Sequence, residues 1–132
     1  MQPEGIVHAL RHLCEALVPG GLVVDLQAIR PSGRVEIGGN PIGAIDDDVF
    51  FARAAQAVAG LDALVDEGLL TRGPQIVFET LVHYDAGADL VAAITDSTER
   101  QLPDELAGRL ADAGPCAVRE TSFIRVLHAA LR

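Results

Sequence analysis

The sequence has no lysine and no tryptophan, a single tyrosine and two cysteines, and each shortage removes a class of function. Without lysine, all positive side-chain charge rests on arginine, and ten basic against nineteen acidic residues give a formal net charge of −9. An acidic chain with no basic stripe is poorly matched to a phosphate backbone, so no nucleic-acid partner is expected. Cys14 and Cys116 stand far apart and outside any CxxC pair. They read as ordinary thiols of a cytoplasmic protein, not as a disulfide scaffold. No apolar run reaches the ~18 residues of a membrane-spanning helix, and MQPEGIVHALRH lacks the basic-then-apolar order of a secretory signal. No membrane partner is expected.

What is present is aliphatic. Hydrophobic residues make up 49% of the chain and aromatics only 4%, so a core must be built from Val, Leu, Ile and Ala. A length of 132 residues suits one domain, expected over residues 1–132. The organising stretch is Leu17–Gln27, LVPGGLVVDLQ, where a helix over Ile6–Val18 gives way to a strand at Leu22–Ala28. Pro19 discourages helix continuation, the two glycines supply a positive-φ turn, and the apolar run reads as a central strand. On the helix, Ile6, Leu10, Leu13 and Leu17 form the apolar stripe, with Val7 and Cys14 broadening it. Arg11 and Glu15 are spaced for an i,i+4 pair. His8 and His12 have the same spacing, but no third ligand completes an HExxH pattern, so no metal is expected.

Downstream, Pro31-Ser32-Gly33 predicts a turn. Gly38, Gly39 and Asn40 predict a second one, within a small ribbon over Val35–Ile45. Asp46-Asp47-Asp48 then caps and solvates the start of a long helix ending near Asp66. Gln75–Tyr84 alternates with apolar residues on both sides, which predicts a strand in a mostly covered sheet. Asp85 is placed to cap a helix from Ala86, and Leu102-Pro103-Asp104-Glu105 starts another that stops at Gly114-Pro115. A last extended segment runs from Cys116 towards Leu131, with Arg119, Glu120 and Arg125 keeping part of it wet. The expected fold class is α/β: a compact mixed sheet with flanking helices.

The order of these elements resembles the C-terminal half of a class I S-adenosylmethionine-dependent methyltransferase. EALVPGGLVVDLQ at Glu15–Gln27 is similar to that family's strand-five region after the L-x-PGG turn. QIVFETLVHYDAGADLVAAI at Gln75–Ile94 resembles a late strand and its helix, and CAVRETSFIRVLHAAL at Cys116–Leu131 resembles the last antiparallel strand. The family's glycine-rich loop, which holds the cofactor's methionine portion, has no counterpart before Gly20, and Gly20 and Gly21 match the later structural turn. The resemblance therefore implies a truncated methyltransferase fold whose isolated chain binds no cofactor. Under the enzyme alternative, a partner chain or an altered site would capture S-adenosylmethionine.

The densest polar cluster is His83-Tyr84-Asp85 at a strand end, where α/β proteins often place sites. His83 is a candidate proton-transfer group, Tyr84 and Asp85 are candidate substrate contacts, and Glu79 shares the sheet face of His83 as a candidate base. Three functions stay open: a methyltransferase-like interaction or small-ligand module, a partner-completed methyltransferase, and a regulatory ligand-binding domain. Because the resemblance leaves one side of Leu22–Ala28 without its usual neighbouring strand, that edge needs a cover, and a homodimer is expected to supply it.

Overall fold

A computed structural model describes residues 3–131, except for the side chains of Pro3, Glu4, Ile6 and Val7. Within these residues the chain forms α1 (Pro3–Ala16), β1 (Leu22–Ile37), β2 (Asn40–Ala44) and α2 (Asp48–Asp66). It continues through β3 (Leu70–Tyr84), α3 (Gly87–Thr95), α4 (Asp104–Ala111) and β4 (Cys116–Ala129). The four strands form one antiparallel sheet in the order β2-β1-β4-β3. The α/β character follows the sequence pattern, but the sheet is antiparallel where a mixed one was expected. A local cause is visible after β3: α3 leads out and α4 leads back, so that the Gly87 N–H donates to the Ala113 carbonyl at 2.9 Å. β4 therefore starts where β3 ends, and it runs in the reverse sense.

The described chain divides into two compact units. The first comprises residues 3–27, 52–77 and 123–131. Here Cys14 of α1 and Leu61 and Leu64 of α2 pack with Leu70 of β3 and Leu127 of β4, flanked by Leu10 and Val23. The turn between α1 and β1 has Gly20 at φ +77°, where a side chain is strained, and a Cβ on Gly21 would stand 2.9 Å from the Val18 carbonyl oxygen. Both glycines of VPGG are thus required. Leu13, expected on the buried stripe, is exposed, and the Ile6 and Val7 side chains lie outside those described. Arg11 turns from Glu15 to Glu67 beyond α2, donating two hydrogen bonds of 2.5 and 2.8 Å. A second helix near α1 provides better fork geometry than a neighbour one turn away.

The second unit comprises residues 28–51 and 78–122. Its core joins Val35 and Ile45 to Leu90, Ile94, Leu106 and Leu110 of the two short helices and to Cys116 and Val118 of β4. The Gly38-Gly39 turn forms as expected, with φ of +58° and +81°, and pairs β2 with Arg34–Ile37 of β1. Pro31-Ser32-Gly33 does not turn the chain. β1 runs straight through it, and the Gly33 N–H is taken by Asp47 at 2.9 Å. Asp85 does not cap α3; Ala86 precedes the helix and no side chain caps it.

Two expectations about coverage are corrected. β2 reaches only the far end of β1, so residues 22–27 have no strand on that side among the described residues. They are an open edge and not a central run. β3 is the terminal strand of the order, and Ile76, Val77, Leu81 and Val82 are exposed on both of its sides. Two-sided hydrophobic alternation identified the strand but not its cover.

Candidate functional sites

The end of β3 forms one wall of a groove of about 460 Å³ in the second unit. His83, Tyr84 and Asp85 all line it, together with Glu36, Cys116, Arg119 and the Gly38-Gly39 turn. The structure thus brings the predicted trio to one place, although successive side chains of a strand alternate in direction. Tyr84 is half-buried and leans on the apolar core of the unit, whereas His83 and Asp85 are exposed. Glu79 sits apart from the lining but is tied to it. Arg119 donates to Glu36 through Nε at 2.7 Å and to Glu79 through Nη1 at 3.2 Å, and Arg34 approaches Glu79 at 3.6 Å.

This ladder fixes the charges of the groove. The Arg119 hydrogen bond holds the Glu36 carboxyl below the ordinary carboxylate range against the opposing effect of desolvation. The same two glutamates drive the Arg119 guanidinium upward, so it keeps its proton. Glu79 is engaged by Arg119 as an ion-pair partner. Burial, with Asp89 nearby, pushes the Cys116 thiol up, which keeps it protonated and weakly nucleophilic. The groove offers fixed donors and acceptors for binding, and it lacks an activated nucleophile.

A second feature lies in the first unit and is built from residues outside the sequence candidates for a site. Asp25 interrupts the apolar run of β1, and Arg125 stands in β4 between Ile124 and Val126. Arg125 was expected to be wet. It is 6% exposed and Asp25 is 4% exposed. Arg125 Nε donates to Asp25 at 2.8 Å, Nη1 to Asp62 at 2.7 Å and Nη2 to the Val58 carbonyl at 3.2 Å. Gln27 donates to the other Asp25 oxygen at 2.7 Å. The Arg125 bond holds the Asp62 carboxyl below its ordinary range, and Arg72 adds to the effect. A lone charge inside an apolar strand is the signal that would have found the pair, since such a charge is either exposed or partnered.

With Asp25 and Arg125 turned inward, the alternate residues of the same strands turn outward. Leu22, Val24 and Leu26 of β1 and Val77 of β3 are 57–59% exposed, and Ile124 and Val126 of β4 are half-buried beside them. By strand alternation the remaining outward positions of this unit are Thr71, Gly73, Gln75 and His128. The His128 ring lies over Gly73, where a Cβ would stand 3.0 Å from Nε2. None of these side chains carries a permanent charge. The four most exposed form an apolar patch on the scale of roughly 300–600 Å² at which the largest patch of a monomer is often functional.

The other sequence candidates are structural. His8 and His12 share a 3.0 Å hydrogen bond on the exposed side of α1, with Glu15 3.9 Å from His12. Among the described residues, no three His, Cys, Asp or Glu side chains are grouped to hold a metal ion. Asp46 accepts from the Asp48 N–H at 3.1 Å, in keeping with a role at the start of α2. Asp47, expected to be solvated, is buried and holds Arg100 at 2.6 Å as well as Gly33. The two cysteines are unbridged and buried. Among the described residues, no helix is long and apolar enough to cross a membrane. No protein-family model, curated protein or solved structure matches this chain.

Proposed function

We propose that this chain is an interaction module that performs no methyl transfer by itself and works in the cytoplasm through the uncharged sheet face of its first unit. The exposed row Leu22, Val24 and Leu26 of β1, with Val77 of β3 beyond the half-buried Ile124 and Val126 of β4, is the observation that carries this reading. In a chain where 22% of residues are charged, three adjacent strands carry only neutral side chains on this face of the first unit. Leaving such surface wet forgoes about 25 cal/mol per Å² that a partner would recover. Depletion of charge at the centre of a patch is also the compositional mark of protein interfaces. The two unbridged cysteines support a reducing compartment. The methyltransferase resemblance stands beside this reading as a proposed ancestry. Its enzymatic alternative has a partner chain supplying the S-adenosylmethionine site.

Hydrogen exchange tests the interaction reading. A tagged chain recovered in its native assembly should exchange more slowly at residues 22–26, 77 and 124–126 than the isolated chain at high dilution. Equal exchange at all of these positions would remove the interaction role of this face.

A further inference from the structure

We infer that the uncharged face of the first unit is closed by the same face of a second copy of this chain, sheet against sheet about a two-fold axis. The inference rests on the interaction reading above and names its partner. Charge is the first argument. A basic partner finds no carboxylate among Leu22, Val24, Leu26, Val77, Ile124 and Val126, and an acidic partner finds no arginine there. The face is complementary to an equally neutral apolar surface, and a second copy brings one by construction. Two chains of net charge −9 repel at long range, but the contact itself places no like charges together.

Geometry and size agree with self-closure. The residues alternate along adjacent strands, so their side chains stand on one pleated surface. Two such surfaces interdigitate at about 10 Å separation in aligned sheet packing. A two-fold contact requires a patch that complements itself, and rows of Leu, Val and Ile do so without polar pairing. The exposed residues and their half-buried and neutral polar neighbours spread over three strands, the breadth that a standard stable interface of ~800 Å² per partner requires. Beneath it, the bonds of Asp25 and Arg125 anchor β1, β4 and α2. The face is therefore held in one shape before a partner arrives.

The sign of the salt dependence separates this partner from others. Screening weakens repulsion between two acidic chains, so dimerisation should tighten as salt rises, whereas a contact with a basic partner would loosen. The experiment is a dilution series of the intact chain by sedimentation velocity, at low and at high salt, with hydrogen exchange followed across the same concentrations. A dimer that tightens with salt is expected, together with slower exchange at residues 22–26 as it forms. Val24→Arg should weaken dimerisation roughly a hundredfold or more, because each copy would bury an unpaired charge. Val24 is 59% exposed in the single chain, so the unfolding midpoint measured at a dilution where both proteins are monomeric should not move. Ala88→Arg, at an exposed position of α3, should leave the dimer intact.

One-chain mass at every concentration and both salts would overturn the second copy as partner. The interaction reading would survive that result if the native assembly still protected the face. A dimer that withstands a folded Val24→Arg would overturn the face as its interface. If Val24→Arg does not fold, Leu26→Ser gives the same reading. The exchange of the unaltered chain decides independently, since dimerisation without protection at residues 22–26 also overturns the inference.

Discussion

At the scale of single residues, Arg125 shows how a charge is kept inside an aliphatic core. Burial opposes its ionisation, but the bonds to Asp62 and Asp25 outweigh that and hold the guanidinium charged. Its Nε, Nη1 and Nη2 each donate to an acceptor, and the Asp25 side chain is 2% exposed. Arg125→Ala should therefore cost about 3–5 kcal/mol, because it leaves Asp25 buried without its partner. The pair Asp25→Leu with Arg125→Met should recover most of that loss, since well-packed apolar residues often replace a buried ion pair at no cost. Urea unfolding measures both. A loss below about 1 kcal/mol for Arg125→Ala, the range of exposed pairs, would mean that water reaches the site.

At the scale of elements, the α3–α4 pair depends on the lack of a side chain at Gly87. A Cβ there would stand 2.0 Å from the Leu110 carbonyl oxygen and 3.0 Å from the Ala113 Cβ, so backbone must move to admit it. Gly87→Ala should destabilise the chain by at least the ~1–3 kcal/mol typical of overpacking, and should speed exchange in α3 and α4 first. Gly108→Ala is the control: a Cβ there meets nothing within 4 Å, and alanine favours the helix. If Gly87→Ala proved as stable as the unaltered chain, the close approach of the two helices would be wrong. The element boundaries themselves were largely legible. The long helix, the Gly-Gly hairpin and the two late strands follow from periodicity and turn chemistry, which act over a few residues. Pro31-Ser32-Gly33 departs from its turn preference for the complementary reason: Asp47 lies fourteen residues beyond Gly33, and local preference yields to a buried carboxylate that takes the Gly33 N–H.

At the scale of the whole molecule, arginine is the counter-charge to an excess of carboxylates. Glu36, Asp62 and Glu67 are each held below their ordinary pKa by hydrogen bonds from Arg119, Arg125 and Arg11. A depressed carboxylate binds fewer protons in the folded chain than in the unfolded one. Its stabilisation is complete above the unfolded values, 3.8 for Asp and 4.5 for Glu, and fades as pH falls through them towards the folded ones. The urea midpoint at high dilution should therefore decline steadily once pH drops below about 4.5. A midpoint that holds constant down to pH 3 would show that these pairs contribute nothing to folding.

What the sequence determined by itself is local: an acidic, aliphatic α/β chain, a helix broken at VPGG, a hairpin at Gly38-Gly39 and strands with side chains on alternating faces. The position of His83, Tyr84 and Asp85 at a strand end was also legible, because they are adjacent in the chain, but alternation left open whether their side chains converge. Tertiary structure decided what each strand face meets. Asp25 and Arg125 are a hundred residues apart, and only the antiparallel pairing of β1 with β4 makes them partners. The pairing of β4 with β3 likewise brings Arg119 to Glu79, and with Asp25 turned inward Leu22, Val24 and Leu26 face solvent. Periodicity tells that a strand has two faces. Which of them is covered depends on helices and strands remote in sequence, whose burial energy no local pattern contains.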